Sequence, residues 1–548
     1  MRAPRTKKAS AAHDRAPDQE ARDAIRDDLG TTLLVEASAG TGKTTCLVAR
    51  MLSLVASGVC AVGEIAAVTF TRKAAAELRS RFQASLERAG ESDGPEKERV
   101  RRASVQAASA FVGTVHAFCA RLLRERPIEA GVDPGFEVLD PDVDRALRAE
   151  AWRECLEDLT ASGSTLIAEL DNFGLSGRDL GAAFHDFAEH RDAEWPCPRT
   201  ELGGTTAAAA ELAKYAEHMA SLLRSFPEVR GTDELMSAYE RVARKVRQSR
   251  LDVPAELHDI LEDFKKRKIA QCYWPSEGKL TSQQVAKREL ARWDEFRGAH
   301  AEPLVRRWRE ARYAVVLRVF CEALAVYDRR RQALGALNHQ DLLGKAAALL
   351  REHPEARRYF QRRFRRLLVD EFQDTDPVQA EVMLLLADSD TGEVDWRRCR
   401  PAAGSLFVVG DPKQSIYRFR RADIVTYNRV KDIIVESGGK VLSLTASFRT
   451  VPSVLEWLQG VSDALFPSSA SEHQAASARL LPGRAADAGE SLAGVVRLEL
   501  DAELKVNEEL IAADARRIAS EIRAALDRGD TVPRTPREEA EGVKPSVK

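Results

Sequence analysis

The feature that most narrows what this chain can fold into is the octapeptide ASAGTGKT at positions 37–44. It follows an apolar run, LLVE, and leads into TTCLVARMLSLVA, whose apolar residues recur at helical spacing. The octapeptide fits the pattern G-x-x-x-x-G-K-[ST], except that Ala37 stands where the first glycine is usual. A strand, a glycine-rich turn and the start of a helix converge backbone N–H groups on one point, which is the geometry of a phosphate cradle. In that arrangement Ala37, Ser38, Ala39, Gly40, Thr41, Gly42, Lys43, Thr44 and Thr45 line a nucleotide. Lys43 reaches the terminal phosphates, Thr44 ligates a magnesium ion, and Gly40 and Gly42 let the backbone approach closely. A plain glycine-rich turn between strand and helix would carry the same pattern.

The surrounding chain reads as α/β. TTLLVEA, EIAAVTF and SAFVGTV predict buried strands, and they alternate with TRKAAAELRSRFQASL and HAFCARLLRER, which predict helices. Ala75, Leu78, Phe82 and Leu86 share one helical face. Such alternation predicts a parallel, doubly wound sheet. From about 141 to 334 the chain turns long, helical and rich in Ala, Leu, Arg and Glu, which predicts an insertion. Strand patterns then return in RRLLVDEF, SLFVVGD and KVLSLTA, with one more candidate in GVVRLEL and an amphipathic helix in DARRIASEIRAALDRG.

With 548 residues, 44% of them apolar, the chain can fill several cores, and its 83 basic and 85 acidic residues nearly cancel. A nucleic-acid partner would therefore meet local patches rather than a global field. No apolar stretch approaches membrane-spanning length, and the basic tail 1–16 lacks a leader-like apolar run. No membrane association and a cytoplasmic location are therefore expected. The eight cysteines are scattered without metal-site spacing.

In LLVDEFQD, Asp370 and Glu371 fall at the end of a predicted strand, where open α/β sheets place ligand chemistry. Asp370 would hold the metal, and Glu371 would orient and deprotonate an attacking water. Without the phosphate loop, the same cluster would read as a solvated turn. Further on, VVGDPKQSIYRFRRAD places Gln414 to sense a terminal phosphate, and Tyr417, Phe419 and Arg420 within an alternation of rings and guanidinium groups. That alternation suits single-stranded nucleic acid, at about 1–3 kcal/mol per stacked base. Phe419 in a core with its arginines in solvent is the competing arrangement.

EASAGTGKTT, TFTRKAAAEL, GTVHAFCARLL, VDEFQDTD, GDPKQSIYRFRRAD and TASFRT, in this order, resemble successive motifs of the UvrD/Rep-like superfamily 1 DNA helicases. The stretch HAFCARLLRERPIEAGVDPGFEVLD is most similar to the RecB and AddA branch. The resemblance implies a RecA-like P-loop NTPase sheet, formed by 17–140 and 335–437, with an inserted helical DNA-binding subdomain at 141–334. An incomplete second RecA-like domain at 438–548 is implied as well. ATP and Mg2+ are the implied cofactors, and single-stranded and duplex-end DNA the implied partners, with a second helicase–nuclease subunit. Gln19 would read the adenine edge, and Phe70, Thr71 and His116 would contact DNA. Arg449 would reach the γ-phosphate, and Phe448 would stack on adenine where many relatives have tyrosine.

Only 99 residues follow Arg449, without a counterpart of the later family motifs or of a terminal nuclease domain. The leading expectation is an ATP-dependent 3′–5′ DNA helicase or translocase of double-strand break repair and recombination, in truncated form. Its rival is a half-motor that binds ATP and DNA without independent turnover until a partner or a further carboxyl-terminal portion completes the cleft. A phosphate-loop protein with a non-DNA client would leave the ring-and-arginine segment without a role.

Overall fold

The structure, a computed structural model, describes residues 15–91, 94–191, 193–197, 202–225, 233–270, 273–483, 495, 497–499 and 507–529. The chain divides into two compact units, one built from 1–135 and 341–548 and the other from 136–340.

The first unit is organised by a six-stranded sheet: β1 (Leu33–Ala37), β2 (Ile65–Thr69), β3 (Phe111–Thr114), β4 (Arg366–Val369), β5 (Leu406–Gly410) and β6 (Lys440–Leu444). The spatial order is β3-β2-β4-β5-β1-β6, and every pairing is parallel. All six strands arise from the apolar runs read in the sequence. β2 and β5 are buried along their whole length, as parallel strands covered on both faces must be. Between β1 and β2 the chain leaves two positions vacant, and β4 and β5, roughly three hundred residues later, fill them. Helix Arg72–Glu91 packs Ala75, Leu78, Phe82 and Leu86 inward, and the last three join Leu33, Val35, Met51 and Phe407 in one core.

In this unit the guanidinium groups of Arg50 and Arg357 are buried with the core. Arg50 donates to the carbonyls of Ile25, Asp28 and Thr31 at 2.8, 2.9 and 3.1 Å. Arg357 donates to the Asp388 carboxylate at 2.8 Å and to the carbonyls of Leu385, Glu393 and Asp390. Much of the basic run at 357–366 is thus fastened to protein: Arg358 pairs with Glu355, and Arg363 donates to the Gly63 carbonyl at 2.5 Å.

The second unit is helical, with long helices at Pro141–Ala161, Thr205–Arg224, Glu234–Gln248 and Glu302–Ala333. It holds one core around Trp152, Phe184 and Phe320 and another around Tyr239, Phe264 and Trp293. The basic run at 241–250 is engaged in ion pairs, Arg241 with Asp263, Lys245 with Asp259 and Asp263, and Arg250 with Asp252.

One strand expectation is overturned. In GVVRLEL, Val495 and Arg497–Glu499 belong to no strand, and the remainder lies outside the described residues. A strand needs a ladder partner, and among the described residues none is paired with this segment. DARRIASEIRAALDRG does form a helix, Asn507–Arg528. Positions 1–14 of the basic tail lie outside the described residues. No helix among the described residues is long and apolar enough to cross a membrane.

Candidate active site

Strand β1 delivers the chain to a loop in which Gly40 and Gly42 adopt φ of 80° and 86°, a region that side chains rarely enter. At Gly40 space is limiting too: a Cβ there would stand 2.6 Å from the Arg449 Cβ. The Thr41 hydroxyl donates to the Ser38 carbonyl at 2.8 Å and holds the turn. Gly42 then caps helix Lys43–Ala56 and brings no side chain of its own to the first N–H groups. Those donors and the positive end of the helix dipole face the loop, as an anion site requires.

Lys43, the first residue of that helix, extends its Nζ to 2.8 Å from Glu371 Oε2. Glu371 follows Asp370 at the end of β4, and its φ of 53° is left-handed without being glycine. Such a conformation costs about 1–2 kcal/mol and persists where the surroundings over-determine it. Here the Asp370 N–H is held by the Val68 carbonyl at 2.8 Å, and the Glu371 N–H donates back to Asp370 Oδ1 at 3.0 Å. Asp370 is 8% exposed. Burial first, and the neighbouring Glu371 charge second, push its carboxyl up to about 6, against the pull of Lys43. Burial and Glu371 raise Asp374 likewise to about 6, and its Oδ1 is buried without a hydrogen-bond partner.

Carboxylates raised in this way are short of positive charge. The Thr44 hydroxyl and the Asp370 carboxylate are hard oxygen donors of the kind Mg2+ prefers, with waters completing its shell. The donor set and the uncapped glycine cradle therefore fit a magnesium–triphosphate complex.

The other residues singled out in the sequence fall around this centre. Gln414 donates to Asp411 Oδ2 at 2.9 Å, and Lys413 pairs with the same carboxylate at 2.9 Å. The Phe448 N–H donates to the Gly40 carbonyl at 2.9 Å, so the segment after β6 lies directly on the loop, with Arg449 exposed beside it. Gln19 spends its amide on Asp23 within its own helix, at 3.0 Å.

Sequence reasoning passed over Asp18, the N-cap residue of helix Gln19–Asp27, and Arg22 within it. Arg22 donates to the Thr41 carbonyl at 2.8 Å and lies 4.9 Å above the Phe448 ring. Asp18 pairs with Arg22 at 2.7 Å and accepts the N–H groups of Thr445 and Ala446. Burial opposes ionisation of Asp18, but Arg22 and these donors hold its carboxyl below the usual range. The legible signal was an Asp–Arg pair at i, i+4 ahead of the loop.

The rings at 417 and 70 meet. Phe70, just past β2, stacks on Tyr417 with centroids 5.5 Å apart and planes 28° apart, and Tyr417 touches Phe419 at 5.7 Å. Phe419 is 77% exposed, so the core arrangement for it is excluded. The Arg420 side chain lies outside the described residues. Thr71 caps the following helix by accepting the Ala74 N–H at 3.1 Å. His116 is half-buried in the first turn of helix Val115–Glu125. Because Thr69 and Thr114 are register partners, Phe70 and His116 leave adjacent strand ends.

The sequence is similar to those of known proteins. A family profile for the UvrD/REP helicase N-terminal domain matches residues 18–434. Curated relatives are each described as an ATP-dependent helicase/nuclease subunit. The Levilactobacillus brevis protein is 28% identical over 482 residues, 78% of this chain and 36% of the relative. That of Anoxybacillus flavithermus is 27% identical over 487 residues, 78% and 38% of the respective lengths. That of Pelotomaculum thermopropionicum is 28% identical over 481 residues, 78% and 37%. The chain thus spans a little over a third of the length of these relatives.

Proposed function

Because the chain belongs to the UvrD/REP helicase family, matched over residues 18–434, we propose that it is the ATP-binding motor portion of a DNA helicase or translocase. The action would be 3′ to 5′, in the cytoplasm, in processing of double-strand breaks for recombinational repair. A second helicase–nuclease subunit is the proposed partner, in keeping with the word "subunit" in the relatives' names.

In this reading the loop 37–45 wraps the phosphates of ATP and Lys43 pairs with the terminal ones. Thr44 and Asp370 would hold Mg2+, whose charge would neutralise the phosphate oxygens. Lys43 then exchanges its carboxylate partner for phosphate, and Glu371 is freed to orient the attacking water and accept its proton. Gln414 reports on the terminal phosphate, and Arg449 approaches it from the segment after β6. Phe448 offers a ring face to adenine, with Gln19 at its edge. Phe70, Thr71, His116, Tyr417, Phe419 and Arg420 form the path for single-stranded DNA. A ligand touching both the loop and the 445–449 segment favours whichever spacing of the two it binds better, which is how hydrolysis would drive movement.

The observation that carries this reading is the 2.8 Å contact between Lys43 and Glu371, residues 328 positions apart that two separate strand tips bring together. Phosphate release stimulated by single-stranded DNA, and lost in Lys43→Ala and Glu371→Gln, is the expected result. An unstimulated rate indifferent to both substitutions would refute it.

A further inference from the structure

Gln373 lies between the catalytic carboxylate and the segment that carries the stacked rings, and it is 2% exposed. Its amide works in both directions. Nε2 donates to Glu371 Oε2 at 2.8 Å and lies 3.5 Å from Asp374 Oδ2, while Oε1 accepts the Asp411 N–H at 2.9 Å. Its own carbonyl accepts the Ser415 hydroxyl at 3.0 Å. A donor on one arm and an acceptor on the other is a property of carboxamides; a carboxylate or a thioether of similar length lacks it.

Gly410 supplies an independent observation. A Cβ there would stand 2.9 Å from Gln373 Oε1 and 3.2 Å from the Gln373 nitrogen. Gly410 is not among the residues with positive φ, so glycine is required for room rather than for conformation. Beyond Gly410, the Asp411 carboxylate gathers Lys413 and Gln414, and the chain continues to Tyr417 on Phe70. A shift of the 411–417 segment therefore pulls on one arm of the Gln373 amide and, through the other, on Glu371.

Resting on the proposed function, we propose that Gln373 is a positioning residue that transmits the state of the 411–417 segment to Glu371 and so couples DNA occupancy to the nucleotide site. The test uses the full chain. Affinity for a fluorescent oligo(dT) is measured with and without saturating magnesium adenylyl-imidodiphosphate, in wild type, Gln373→Met and Gln373→Glu. Coupled sites commonly differ by about 5–150-fold in affinity, and wild type is expected within that range. Gln373→Met, which keeps length and loses both arms, is expected to bring the ratio within about twofold of one. Gln373→Glu keeps the acceptor for Asp411 but loses the donor, and is expected to uncouple as well.

A merely structural role would weaken both ligands together and leave the ratio intact, and that result overturns the inference. Should the Gln373 variants not fold, Gly410→Ala presses on the same amide from the other side, and an unchanged ratio there is equally adverse. Wild type that binds both ligands with a ratio of one overturns the coupling alone, whereas wild type that binds neither overturns the proposed function too.

Discussion

Replacing Asp370 with asparagine should make the ligand-free protein more stable. The Asp370 carboxyl is held at about 6 rather than 3.8, because burial strips its water and Glu371 adds a like charge. At about 1.4 kcal/mol per pH unit, that rise makes ionised Asp370 cost the fold about 3 kcal/mol above neutral pH. Between the two values the folded state keeps a proton that the unfolded chain has released. Stability therefore falls as pH climbs from about 4 through about 6, and this contribution is level beyond. Asparagine keeps the size and an acceptor for the Glu371 N–H but has no charge to desolvate. Urea midpoints in EDTA at about pH 5, 6.5 and 8 measure the effect, with unchanged slopes certifying that stability alone moved. The variant should lead wild type by about 3 kcal/mol at the highest pH, and the lead should shrink toward the lowest. An Asp370→Asn protein no more stable than wild type at about pH 8, or with a lead independent of pH, would refute the account of this carboxylate as a charge short of its cation. The same variant should lose magnesium-dependent nucleotide affinity.

Other substitutions address separate parts of the structure. If the loop holds phosphate as proposed, Lys43→Ala should weaken binding of a fluorescent ATP analogue by about 1.5–3 kcal/mol, roughly 10- to 150-fold, in a titration with Mg2+ present. Tyr417→Ala breaks the stack on Phe70 and should reduce single-stranded DNA affinity by about 1–3 kcal/mol in an anisotropy assay, leaving nucleotide affinity nearly unchanged without DNA. Arg357→Ala strands the buried Asp388 carboxylate and should lower stability by about 3–5 kcal/mol in chemical denaturation; a loss below about 1 kcal/mol would show that the pair is not a structural rivet.

Much of the local structure was written in the chain. Runs such as LLVEA, IAAVT and LFVVG are apolar and bounded by turn residues, so each had to be a buried strand wherever it lay. The spacing of Ala75, Leu78, Phe82 and Leu86 fixed which side of its helix faces the core. Gly40 and Gly42 marked the loop because only glycine enters its backbone region at ease.

What only the tertiary structure decided is which of these pieces meet. Periodicity reports that an element has a buried face but not what buries it, and strand pairing depends on backbone hydrogen bonds that carry no side-chain label. The sheet accordingly inserts β4 and β5 between β2 and β1 without any local pattern to announce it, and GVVRLEL has strand composition but, among the described residues, no ladder. Charge runs are ambiguous for the same reason, since Arg357 differs from an exposed arginine only in the carbonyls and carboxylate that close around it. The contact of Lys43 with Glu371, the reach of Arg22 to the loop and the two-armed grip of Gln373 all join residues from different elements. Charge attraction and hydrogen bonding act over a few ångströms of space, and only the folded chain sets those distances.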